Sequence, residues 1–165
     1  MGIQAPGPYP PLRVQGPNPV YAEMMLSNMG SPNSEMSAVA FYRYARLMSR
    51  RGDAETSVLF HKVSMVEMHH LDLFGELALA LGAQPRLWHC RNCRWEYWSP
   101  RYVNYAHCSA KDLVKAALED ERAAVRKYEC QAKCIADPDL AALLRRVIED
   151  EKEHVELWEE VLGKL

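Results

Sequence analysis

Four long segments of the chain carry apolar residues at intervals of three and four, the spacing that lines one face of an α-helix. They cover residues 31–51, 53–82, 109–135 and 137–163. Each opens on a helix-start signal. Ser31 before Pro32, and Asp137 before Pro138, set a capping side chain ahead of a proline whose missing donor is not needed there. Asp53 caps the second segment, and Ser109-Ala110-Lys111-Asp112 resembles a capping box at the start of the third. A shorter helix is expected over 20–28, closed by Gly30. No stretch is a convincing strand, so the pattern predicts an all-α fold, a four-helix bundle.

Between 83 and 108 the periodicity fails and aromatic residues crowd in: Trp88, Trp95, Tyr97, Trp98, Tyr102 and Tyr105. A structureless connection of this length is unusual in a compact domain. Helices of about 25 residues are near 37 Å long. A connection this long can run the side of a bundle and start the next helix at the far end, which makes the second and third long helices parallel. At the other extreme, residues 1–19 hold six of the ten prolines and three of the eight glycines, a composition that forms no helix. This stretch reads as an extended arm, either disordered or packed across a neighbouring subunit. Residues 20–165 then form one domain.

Composition narrows the partners. With 20 Lys+Arg against 22 Asp+Glu the net charge is −2, too weak a field to attract nucleic acid or an anionic membrane. No apolar run is long enough to span a bilayer and no secretory signal is visible, so the expected address is the cytoplasm. Five cysteines, Cys90, Cys93, Cys108, Cys130 and Cys134, are an odd count that argues against a disulfide framework.

Four glutamates break the hydrophobic pattern. Glu121 shares its helical face with Val114, Ala117, Leu118, Ala124, Val125 and Tyr128; Glu151 with Leu144, Val147, Ile148, His154, Val155 and Trp158. Glu67 lies among Phe60, Val63, Ser64, His70, Leu71 and Phe74, and Glu35 precedes Ala38, Val39 and Tyr42. A carboxylate in a core-facing stripe requires compensation, because an unpaired buried charge costs many kcal/mol. By contrast, Glu119 faces Lys115, Arg122 and Arg126, and Glu153 shares a face with Glu149, Asp150 and Glu156; both faces read as solvated.

The compensation is suggested by a phrase that occurs twice, Glu67-Met68-His69-His70 and Glu151-Lys152-Glu153-His154. A three-residue step turns about 300° and rises about 4.5 Å, so each Glu and its His project together, as two ligands of one ion would. His69 points about 200° away from Glu67 and is read as an ordinary polar residue. Counted from the turns at Gly52 and Asp137, the four glutamates and both histidines fall at one depth. Four carboxylates and two neutral imidazoles balance two divalent cations, and the mixture suits iron or manganese better than zinc. One carboxylate from each of two helices and Glu-x-x-His from each of the other two make a dinuclear site of Glu35, Glu67, His70, Glu121, Glu151 and His154.

With these phrases, and with Tyr42 and Tyr128 each seven residues after a glutamate, residues 20–162 resemble the ferritin-like di-metal carboxylate proteins, in the neighbourhood of rubrerythrins and manganese catalases. The resemblance implies a ferritin-like bundle with a long crossover between its second and third long helices. It implies two iron or two manganese ions per bundle, with Glu35 and Glu121 as single-carboxylate ligands and the tyrosines supporting them. The chain has Ala124 where rubrerythrins carry an added carboxylate, and no four-cysteine iron domain follows the bundle. An oxidoreductase acting on hydrogen peroxide or dioxygen is expected, as peroxidase or catalase, with an external electron-donor protein needed only by the former. The alternative is an iron-oxidising and storage protein or a structural component of a spore coat or shell; a metal-free bundle is the third reading. A homo-oligomer, a dimer or larger, is expected. Cys90-Arg91-Asn92-Cys93 with His107 and Cys108 has the ligand types of a zinc knuckle without a clean second pair, so thiols without metal are favoured. Tyr42 and Tyr128 are, on the residues alone, equally well read as core aromatics.

Overall fold

A computed structural model describes residues 2–165, and Met1 lies outside the described residues. Five helices follow in order: α1 (Pro19–Gly30), α2 (Glu35–Ser49), α3 (Ala54–Ala80), α4 (Ala110–Cys134) and α5 (Pro138–Lys164). The last four form the bundle. The side chains of Asp53, Ser109 and Asp137 cap α3, α4 and α5 as the sequence predicts, each accepting from backbone N–H groups of its first turn. The start of α2 differs. Ser31 is the C-cap of α1, the chain bends through 31–34, and Ser34 is the N-cap of α2, accepting from Ser37 N. The bend puts Glu35 at the first position of its helix.

α2 packs on α3 and α4 on α5 as two hairpins. Gly52, Asp53, Cys108, Ser109 and Leu165 line one cleft, so α3 and α4 both begin at the end of the bundle where α5 finishes. The two are therefore parallel, as the long crossover requires. That crossover is not without structure: it contains an antiparallel hairpin, β1 (Trp88–Arg91) paired with β2 (Arg94–Tyr97), and a 3-10 turn at Pro100–Tyr102. Asn92 and Cys93 take positive φ of 52° and 59° at the hairpin tip, the backbone a two-residue primed turn needs. Four-residue strands with mixed burial leave too little alternation for a sequence pattern to show. The hairpin lies on α1, where a Cβ at Gly30 would meet Trp88 N at 2.6 Å. α1 is tied to α4 by Asn28 and Gln131, whose amides exchange two hydrogen bonds of 2.7 and 2.9 Å.

The apolar core has two halves. Met25, Phe74, Leu77, Leu140 and Leu144 fill one; Phe41, Phe60, Leu113, Val114 and Trp158 fill the other. Between them lies a layer of buried carboxylates and imidazoles. Among the described residues no helix is long and apolar enough to cross a membrane.

Candidate metal centre

All six residues singled out from the sequence meet in that layer. Glu35, Glu67, Glu121 and Glu151 are 1–4% exposed, and His70 and His154 are fully buried. Two groups of ligand atoms lie within 4.8 Å of one another: Glu35, Glu67, His70 and Glu151, and Glu67, Glu121, Glu151 and His154. Glu67 and Glu151 belong to both. Each group thus has its own glutamate and its own histidine, with two carboxylates spanning between them.

The histidines face the centre through Nδ1. His70 Nδ1 lies 3.2 Å from Glu67 Oε2 and 3.1 Å from Glu151 Oε1; His154 Nδ1 lies 2.9 Å from Glu67 Oε1 and 3.3 Å from Glu151 Oε2. Both Nε2 atoms point outward, that of His154 to a backbone carbonyl. A carbonyl only accepts, so Nε2 of His154 carries a proton, and a neutral ring then turns the Nδ1 lone pair on carboxylate oxygens. Only a cation between them, or a second proton on the ring, relieves that opposition. Glu67 Oε1 and Glu151 Oε1, moreover, are buried with no hydrogen-bond partner. Orphaned carboxylate oxygens that converge with imidazole nitrogens fit a pair of divalent ions, and the donor set, oxygen-rich with one nitrogen per ion, is that of iron or manganese.

Without ions the charges settle differently. Burial, with the charges of Glu67 and Glu151, drives the carboxyls of Glu35 and Glu121 well above the usual range and so favours their protonated forms. Burial also pushes Glu67 and Glu151 upward, but the two imidazoles overcome it and keep both ionised. Burial disfavours the imidazolium forms, yet Glu151 beside His70 and Glu67 beside His154 raise both well above the ordinary histidine value.

Two tyrosines cross the bundle to these carboxylates. The Tyr42 hydroxyl of α2 donates to Glu121 Oε1 of α4, and the Tyr128 hydroxyl of α4 donates to Glu35 Oε1 of α2. Neither is merely a core aromatic. Trp158 Nε1 in turn donates to the Tyr42 hydroxyl at 3.2 Å. His69, as read from the sequence, is exposed.

Asp150, on the face that the sequence predicts to be solvated, lies in the interior. It is completely buried, ion-paired to Arg146 Nη1 at 2.5 Å, and lies 3.2 Å from His70 Nε2. Its bonds to His70, Tyr9, Arg146 and Ala5 N outweigh burial and hold its carboxyl far below the usual range. The available signal was Arg146, four residues earlier, in a stretch otherwise facing the core. The five cysteines are free thiols, and among the described residues groups of three or more close ligand atoms occur only at the bundle centre.

A cavity of about 110 Å³ reaches the carboxylates. Its inner wall includes Glu35, Glu67, Glu121 and Glu151, and its outer wall Asn33, Tyr102, Val103, Asn104 and Asp120. The crossover thus forms part of the wall around the centre.

Residues 33–165 match the ferritin-like domain family, and the chain belongs to that family. Within it, the chain is 24% identical over 175 aligned positions to a probable manganese catalase of Clostridium acetobutylicum, covering 93% of this chain and 75% of that protein. It shares the fold of the crystal structure of KatB, a manganese catalase from Anabaena PCC7120, with a TM-score of 0.85 and 19% identity over 99% of this chain and 80% of that one. The wild-type KatB structure matches to the same degree.

Proposed function

We propose that the protein is a dinuclear metal oxidoreductase of the catalase type, acting on hydrogen peroxide. The observation that carries the reading is the sharing of Glu67 and Glu151 between two ligand groups, with a cavity opening onto them. Glu35 with His70, and Glu121 with His154, would each hold one ion, and Glu67 and Glu151 would span both. Manganese is the metal we assign, in keeping with the named relatives. Two bound ions that each change oxidation state by one supply the two electrons that peroxide reduction takes up and peroxide oxidation returns.

The chain's own residues supply the setting. Four carboxylates and two neutral imidazoles balance two dications, so the loaded layer is neutral within a core that tolerates no excess charge. Tyr42 and Tyr128 each donate to one oxygen of a single-carboxylate ligand, limiting how far the group swings. A cavity of about 110 Å³ beside the carboxylates has room for a molecule the size of peroxide. Disproportionation uses peroxide as both oxidant and reductant and needs no electron-donor protein, in keeping with the manganese catalases that the chain resembles. Protein loaded with manganese is expected to release dioxygen from hydrogen peroxide without added reductant, and Glu67→Ala and Glu151→Ala are each expected to abolish this. Full metal occupancy with no peroxide consumption, together with ferrous iron oxidised and retained well beyond two per chain, would replace this reading with iron storage.

A further inference from the structure

The outward nitrogens of both histidines are held by a segment outside the bundle. His154 Nε2 donates to the Ile3 carbonyl at 2.9 Å. His70 Nε2 lies 3.0 Å from the Tyr9 hydroxyl, which itself donates to Asp150 Oδ2. Ile3 and Tyr9 belong to the proline-rich stretch ahead of α1, which lies against α3 and α5 of its own chain. That stretch is anchored at several points. Ala5 N donates to Asp150 Oδ1 at 2.7 Å, and Arg146 Nη2 donates to the Ala5 carbonyl at 2.7 Å and the Gly7 carbonyl at 3.3 Å. The Arg146 guanidinium sits 4.5 Å over the Tyr9 ring, and Gln15 N donates to Asp137 Oδ2 at 2.6 Å.

The arrangement has a chemical consequence. A histidine binds a metal through one nitrogen only while the proton sits on the other, and the partner of that proton sets both tautomer and ring orientation. The Ile3 carbonyl has no proton to give, so it selects Nε2–H on His154 and leaves Nδ1 free for an ion. The Tyr9 hydroxyl spends its own proton on Asp150 and therefore accepts from His70 at 3.0 Å, beside Asp150 Oδ2 at 3.2 Å from the same nitrogen; both acceptors select the same tautomer, and the arm supplies the nearer one. Prolines at positions 6, 8, 10 and 11 suit this task, because they restrict the unbound chain and lower the entropy lost on docking.

We propose that residues 3–9 are a positioning strap for the dinuclear centre: the Ile3 carbonyl and the Tyr9 hydroxyl fix the two histidines as Nδ1 ligands, so that docking of the arm and retention of the ions are coupled. The proposal rests on the metal reading above. Coupling is reciprocal, so ions that bind more tightly to the docked arm must hold the arm down by the same factor.

The test uses the full-length protein loaded with manganese. Tyr9→Phe keeps the ring against Arg146 and removes only the hydroxyl. Tyr21→Phe is the control, because the Tyr21 hydroxyl accepts from Ala136 N away from the centre. Metal loss to a chelator is followed in both, with amide hydrogen exchange at Ala5 measured in loaded and metal-free wild type. Tyr9→Phe is expected to weaken metal retention by about 10-fold to 100-fold, the usual cost of losing a partner behind a metal ligand, with Tyr21→Phe behaving as wild type. Ala5 exchange is expected to slow on loading. A wild type that binds two ions, with both variants holding them equally well and Ala5 exchanging at one rate in either state, overturns the strap alone. A wild type that binds no transition metal overturns the metal reading and the strap with it.

Discussion

The Tyr42 hydroxyl, on the first helix of one hairpin, donates to Glu121 on the first helix of the other. Tyr128 returns the relation by donating to Glu35. The repeat in the sequence, Glu then Tyr seven residues later, is therefore closed crosswise: each tyrosine serves the other hairpin's glutamate. Hydroxyls so placed lock the two hairpins at one register while holding one oxygen of each carboxylate.

Replacing Tyr42 by Phe keeps the ring that stacks on Trp158, whose centroid is 5.9 Å away, and removes the hydroxyl that donates to Glu121 and accepts from Trp158 Nε1. A lost hydrogen bond to a charged or metal-bound carboxylate is worth about 1.5–3 kcal/mol. The variant is expected to fold, to melt several degrees lower, and to lose about 10-fold to 100-fold in manganese affinity or peroxide turnover. Unchanged melting and unchanged titration with manganese would show that the hydroxyl is idle.

The adjacent histidines separate ligand from neighbour. His70 is buried at the centre and His69 is exposed, its ring packed edge-on against Tyr9 at 4.8 Å. His70→Ala is expected to lose at least one of two ions and His69→Ala to retain both, as read by elemental analysis. The opposite pattern would mean that the first Glu-x-x-His has been assigned to the wrong face.

Metal removal should change how stability depends on pH. In the metal-free protein Glu35, Glu121, His70 and His154 all hold protons more tightly than in an unfolded chain. The folded state then binds more protons than the unfolded state, so stability falls as pH rises above about 4.5 for the carboxyls and about 6.5 for the imidazoles. Glu67 and Glu151 have the opposite sign, and their contribution fades as pH falls below about 4.5. Chelated protein is expected to melt lower at pH 8 than near pH 5.5, and loading to release protons, because the ions displace those that the imidazoles and carboxyls hold more tightly than usual. Melting temperatures that ignore chelation, with no acid released on loading, would contradict the site.

Gly30 tests the packing of the hairpin. A Cβ there would meet backbone atoms, Trp88 N at 2.6 Å and Leu87 C at 2.7 Å, and neither can rotate aside. Gly30→Ala is expected to cost about 1–3 kcal/mol by overpacking, visible in thermal or urea unfolding, with both ions still bound. A wild-type unfolding curve would show that the crossover yields without cost.

The helices, their caps at Asp53, Ser109 and Asp137, and the six residues of the centre were legible in the chain alone, because each is a local matter of periodicity and spacing. A glutamate in an apolar stripe is visible without knowing what faces it, and Glu-x-x-His places two donors together whatever the surroundings. What had to be decided by the tertiary structure lies between segments far apart in sequence. Asp150 belongs by spacing to a charged face, and only Arg146 together with Ala5, Tyr9 and His70 makes its burial tolerable. The cross-bundle bonds of Tyr42 and Tyr128 depend on the register between hairpins, which no local pattern encodes. Ser31 with Pro32 looked like a helix start, but the Ser31 N–H bonds back to Ser27 O and makes Ser31 the end of α1 instead. The proline-rich arm has no periodicity of its own; its place is set by backbone and side-chain hydrogen bonds to α3 and α5, partners more than 60 residues away in the chain, which exist only once the bundle has formed.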